Sequence, residues 1–180
     1  MKHYDLARAE IGTFEWKDGH NPKVIEYFAE VGHSWVTDDE TAWCAAFVGA
    51  MLERSGIAST RKLNARSYLD WGVLVKLEAA EPGDVVIFSR GDPKGWQGHV
   101  AFFVKENATT LTVLGGNQSN QVIEARYPKD QLLGIRRPLI AKPFEPAAKW
   151  HETPHSVPNV TQSGWLAALI AAVVALFRKG

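Results

Sequence analysis

The hydrophobic period of this chain changes once, and that change limits which classes of fold are open to it. Before residue 72, apolar side chains recur at three- and four-residue spacing, as in Val24, Ile25, Tyr27, Phe28 and Val31 and again in Trp43, Ala46, Phe47, Ala50 and Met51. This is the pattern of helices that each bury one face. Asn21-Pro22 supplies a capping residue and a proline at the first helical position, so one helix is expected from there to Gly32. Another is expected from Thr41 to Ser55, stopped by Gly56, with shorter helical stretches at Leu6–Ile11 and Ala65–Trp71. After the turn Glu81-Pro82-Gly83 the runs become short and bounded by turn residues. Strands are expected at Asp84–Ser89, Gly98–Lys105, Thr110–Leu114, Val122–Tyr127 and Leu133–Arg137. Helices first and strands after, with short connections, predict an α+β domain with an antiparallel sheet rather than a βαβ repeat.

A second break lies near the C-terminus. Residues 142–163 hold Pro143, Pro146, Pro154 and Pro158 among polar side chains, which reads as a linker because each proline fixes φ and removes a donor. Residues 164–177 then carry no charge, and Arg178-Lys179-Gly180 follows. The expected organisation is therefore a globular domain over 1–141, a linker over 142–163 and an apolar helix over 164–180. Fourteen helical residues span about 21 Å, short of the ~30 Å hydrocarbon core. Extension back to Val160, with Trp165 and the basic pair as interfacial anchors, makes a membrane helix the first expectation. An apolar helix buried against protein is the alternative. No charged and apolar leader opens the chain, so no N-terminal signal peptide is expected and membrane association is assigned to the C-terminal segment, on an unassigned side.

Charge excludes one class of activity. Twenty basic and twenty acidic side chains balance, which argues against nucleic acid as the main partner. The balance is uneven along the chain. Residues 1–40 carry four basic and nine acidic groups (net −5), so the remainder is +5 and the two parts are expected to attract.

Cys44 is the only cysteine, which excludes an intrachain disulfide and a cysteine-rich zinc site. It falls in the first turn of the third expected helix, where unpaired N–H groups and the helix dipole favour thiolate, as a nucleophile requires. A lone cysteine beside an apolar helix face is more commonly a small packing residue. His99 opens a strand after the Gly91–Gly98 loop, where the ring would project from the sheet's end as a general base. Asn117 follows the next strand in Gly115-Gly116-Asn117-Gln118, where its amide would orient an imidazole. Helix-borne Cys, strand-borne His and then Asn is the chain order of papain-like chemistry.

In these motifs the chain resembles the CHAP domains (cysteine, histidine-dependent amidohydrolases/peptidases), which are related to NlpC-type and endolysin hydrolases. The likeness is carried by Trp-Cys-Ala-Ala-Phe-Val at 43–48, Pro-Gly-Asp-Val-Val at 82–86, Gly-His-Val-Ala-Phe at 98–102 and Gly-Gly-Asn-Gln at 115–118. It implies a papain-like fold of N-terminal helices packed on an antiparallel sheet. It also implies a peptidoglycan amidase or endopeptidase with Cys44 as nucleophile, His99 as base and Asn117 orienting it, through a thioester and without a cofactor or metal. Trp43, Trp96 and Gln118 are the expected substrate contacts, and a peptidoglycan peptide the expected partner. This chain departs from the pattern at Gly115, where many relatives have Glu. A catalytically idle module that binds wall peptides or scaffolds an assembly at the membrane is therefore the alternative reading.

Overall fold

A computed structural model of the chain describes residues 1–139. The expected linker and apolar helix lie outside the described residues, and among the described residues no helix is long and apolar enough to cross a membrane. Three helices precede the sheet: α1 (Lys2–Ala9), α2 (Pro22–Glu30) and α3 (Cys44–Arg54). The Asn21 side chain caps α2 by accepting from the Lys23 N–H, as the Asn-Pro pair predicts. α1 starts earlier than its apolar spacing suggests. His3, Tyr4 and Ala7 are the residues it buries, with His3 Nε2 bonded to the Gly83 carbonyl at 2.9 Å, while Ile11 lies outside the helix and half exposed.

α3 begins at Cys44 rather than Thr41, and the reason is upstream. Asp38 accepts from the Thr41 N–H at 2.7 Å, which holds that segment as a turn. Asp39, next to it, has a different task. Its buried carboxylate accepts from the Trp16 and Asn21 N–H groups at 3.0 and 2.9 Å and pairs with His20 Nδ1 at 2.9 Å, tying the α1–α2 and α2–α3 connections together. Trp43 sits at the cap position with no side-chain capping bond. The residues expected to form a helix at Ala65–Trp71 form a tighter 3-10 turn, Ala65–Asp70.

Six strands follow: β1 (Val73–Val75), β2 (Val85–Ser89), β3 (Gly98–Glu106), β4 (Thr110–Gly115), β5 (Ile123–Pro128) and β6 (Leu132–Arg137). They form one antiparallel sheet in the order β1-β6-β2-β3-β4-β5. β1 is a three-residue edge strand that the sequence does not announce. The other five fall where the apolar runs predict them, within one or two residues.

The order forces the sheet to curl. β5 and β6 are four strands apart in the sheet, about 19 Å if it were flat at ~4.8 Å per step. Only Lys129–Gln131 join them, three residues that reach at most about 14 Å between the flanking Cα atoms. The sheet therefore rolls until the two strands approach, and Phe88 of β2 stacks on Tyr127 of β5 at 4.8 Å across the inside of the roll. Two cores result. Val85, Ile87, Val100, Phe102 and Leu114 pack outward against the helices, with Trp43, Phe47 and Met51. Val86, Phe88, Ala101, Phe103, Leu111 and Val113 fill the inside of the roll. The expected attraction between the acidic N-terminal part and the rest is realised at Arg54 on α3, which bonds Glu10 at 2.9 Å and Glu30 at 2.8 Å.

Candidate active site

Cys44 is the first residue of α3, and the residue is 6% exposed. It forms part of the lining of a pocket of about 190 Å³ with Leu63, Asn64, Arg90, Trp96 and Gln97. Burial pushes the thiol above its ordinary range, while the Val100 N–H, the Arg90 charge and the N–H groups of Ala45 and Cys44 itself oppose that rise. The bare start of α3 explains the last two. With no side chain capping Trp43, those N–H groups stay available to a negative charge.

Alternation along β3 places Val100 and Phe102 with the helices, and His99, Ala101 and Phe103 inside the roll. His99 therefore does not project from the sheet's end. Its ring is fully buried, stacked on Tyr127 of β5 at 4.9 Å and 10°, and Tyr127 also stacks on Phe88 at 4.8 Å. What links it to the sulfur is its neighbour Val100, at the end of β3 where β4 is not yet paired, since β3 and β4 pair only from Phe102 onward. Over Gly98–Ala101 the β4 side of β3 is open. The Val100 N–H is turned to Cys44 there, and the Cys44 charge is felt at the Tyr127 phenol. No hydrogen bond joins the sulfur to the imidazole among the described residues.

Asn117 does not orient His99. His99 Nε2 bonds Gln118 Oε1 at 3.1 Å, and Gln118 Nε2 donates to the Ile123 carbonyl. Asn117 takes the left-handed conformation, φ 55°, and this bend makes the next side chain the one that enters the interior. Gln118 is accordingly 3% exposed and is no substrate contact. Its wiring also fixes the tautomer. The Ile123 carbonyl only accepts, so the amide nitrogen faces it and Oε1 faces His99. His99 Nε2 must then carry the proton, which leaves Nδ1 as the basic nitrogen.

Gln118 also accounts for Gly115. A Cβ at Gly115 would lie 2.8 Å from Ala101 Cβ and 3.3 Å from the Gln118 amide. The glutamine amide thus fills the space into which a side chain at position 115 would grow. The polar partner of the histidine reaches it from three residues further along the chain.

Trp43 is a core residue rather than a cleft wall. It is fully buried, packs on Tyr27 and Phe47, and donates from Nε1 to Glu15 at 2.6 Å. Trp96 stands at the pocket and is 76% exposed. Its loop is held by Arg66, whose guanidinium donates to the Gln97 and Pro93 carbonyls at 2.8 and 3.1 Å.

Sequence reasoning missed Arg90 and Tyr127. Arg90 follows β2 directly, and the Ser89–Gly98 pairing sets it beside His99. Its Nη2 lies 3.4 Å from His99 Nδ1. Burial, and after it the Arg90 charge, push the His99 pKa down to about 4, against a smaller upward pull from Gln118. The resting imidazole is therefore neutral. Among the described residues no group of His, Cys, Asp and Glu could hold a metal ion.

The CHAP domain model matches residues 36–117, so the resemblance carried by the motifs holds over the stretch that contains Cys44 and His99. Two solved structures are similar in fold. One is a protein similar to lipoprotein of the NLP/P60 family from Staphylococcus aureus subsp. aureus Mu50, with 19% identity and a TM-score of 0.49, covering 76% of this chain and 40% of that one. The other is the wild-type endolysin LysIME-EF1, with 14% identity and a TM-score of 0.48, covering 76% of this chain and 62% of that one. The chain thus spans less than two thirds of the length of either. No protein of curated function matches it.

Proposed function

We propose that this protein is a cysteine amidohydrolase or peptidase that cleaves amide bonds of peptidoglycan. The observation that carries the reading is the set of groups around one sulfur. Cys44 lies in a pocket at an uncapped helix N-terminus, and Arg90 of the same pocket reaches a neutral imidazole whose basic nitrogen is fixed by Gln118. Together with the CHAP match, this supports covalent catalysis.

In the first step His99 Nδ1 takes the thiol proton, and the sulfur attacks the substrate carbonyl. The backbone N–H of Cys44 faces the oxyanion that forms. Collapse of that intermediate expels the amine, which receives the proton from His99 and leaves a thioester. Water then attacks the thioester as His99 acts as base again, which frees the acid and restores the thiol. Gln118 holds the ring and its tautomer throughout, and exposed Trp96 serves as a platform for the substrate.

The test is to incubate the full chain, wild type and Cys44→Ser, with peptidoglycan and identify new amino termini and free sugars by mass spectrometry. Products from the wild type alone are expected, and equal traces from both would refute the reading. The absence of a sulfur–imidazole hydrogen bond favours the second reading, an idle wall-binding module. That reading expects pelleting with peptidoglycan in both proteins and products in neither.

A further inference from the structure

We propose that Arg90 reads a carboxylate on the substrate, carried beside the amide that Cys44 attacks, and that this pairing draws the guanidinium off His99 Nδ1. The inference rests on the cysteine-nucleophile reading above and adds the substrate's charge and the trigger for base release.

Three observations converge. Among the described residues, Arg90 is the one charged side chain lining the Cys44 pocket. It is exposed there, and among the described residues it has no acidic partner, whereas Arg54, Arg61 and Arg137 each bond one. The pocket otherwise offers Asn64 and Gln97 and no acid, so a carboxylate entering it meets a guanidinium fork and no repulsion.

Arg90 also reaches the candidate base. Its Nη2 lies 3.4 Å from Nδ1, the nitrogen that the Gln118 wiring leaves as the base. Ordinary N–H donor bonds fall at about 2.7–3.2 Å, so this one is long and weak. A bidentate carboxylate would outcompete it, because charge-assisted pairs are roughly twice as strong as neutral ones. Once the guanidinium has turned to that carboxylate, Nδ1 is free to take the Cys44 proton and the cation that lowers its basicity is neutralised. A substrate lacking the carboxylate leaves the base occupied. Specificity and activation would then come from one side chain.

Alkylation of Cys44 isolates this from any question of which wall bond is cut. Iodoacetate carries a carboxylate and iodoacetamide is its neutral counterpart, and in both the sulfur displaces iodide. Rates on the full chain are referred to those of a free cysteine derivative. The wild type is expected to favour iodoacetate by about tenfold, equivalent to ~1.4 kcal/mol, with a preference that stays flat from pH 6 to 9. Arg90→Gln is expected to lose it, and Arg90→Lys to keep part of it. A preference retained in Arg90→Gln, or one that fades as an imidazole titrates, would assign the reading to His99 and overturn the proposal. Iodoacetamide reactivity with no preference for iodoacetate would overturn it alone, leaving the nucleophile intact. Silence of Cys44 toward both reagents would bring down this proposal and the cysteine-nucleophile reading together.

Discussion

Lowering the pH from 7 to 5 tests the charge state of the candidate dyad through stability alone. His99 is fully buried and its pKa falls from 6.5 to about 4, chiefly by desolvation and then by Arg90. A histidine depressed in the folded state binds its proton more readily when unfolded. Its contribution is therefore complete above the unfolded pKa and is lost as pH falls toward the folded one. The whole shift corresponds to about 3 kcal/mol, of which about 2 kcal/mol disappears between pH 7 and 5. At roughly 4 °C per kcal/mol for a domain of this size, the midpoint falls by about 8 °C. Glu53 titrates only near about 2, and the folded pKa values of Glu10 and Asp39 are also lowered, so their losses fall chiefly at lower pH. Burial also lowers the His3 pKa, in the same direction, and subtracting a His99→Gln variant removes that background. The assay is thermal unfolding of both proteins at half-unit intervals from pH 7 to 5. Equal slopes would show that His99 is not held neutral. An opposite slope, with stability falling as pH rises, would mean a thiolate–imidazolium pair at rest and would refute the neutral-dyad reasoning.

Further expectations concern single side chains. Gln118→Met leaves the His99 Nε2–H and the Ile123 carbonyl without partners and should cost roughly 2–4 kcal/mol, with a large loss of Cys44 alkylation. Asn117→Gly, at a left-handed position, should change either readout little, and the reverse order would restore Asn117 as the orienting group. Gly116→Ala drives a methyl to 2.4 Å from the Trp43 ring and 2.7 Å from Phe47, so thermal unfolding should report a loss of about 1–3 kcal/mol. Trp96→Ala should raise KM for peptidoglycan fragments and leave the unfolding midpoint within a degree or two, because that ring is exposed; a fall in stability would place it in the core instead.

Periodicity made most of this architecture legible. The Asn21-Pro22 start, the apolar face of α3 and five strands were all readable because each is a local pattern with its own cap or turn. β1 was not, since three residues pair at the edge only because β6 arrives from sixty residues away. Cys44 was legible by type and position, and His99 by type only. Its burial depends on the roll of the sheet, which no local pattern carries. Asn117 and Gln118 were adjacent in the motif, and the choice between them turned on one backbone dihedral. Trp43 looked like a cleft residue because it neighbours the cysteine, yet a helical step of about 100° sends neighbouring side chains to different sides.

The roll of the sheet also decides how faults elsewhere would reach the sulfur. Nucleophile and base are supplied by two separately packed interiors, one under the helices and one inside the rolled strands. A cavity opened at Phe88 would loosen the Tyr127 ring that stacks on the imidazole, while the helix that carries the thiol packs in the other core. The inner core therefore acts as a tuning element for reactivity, reachable by conservative apolar substitutions far from any solvent.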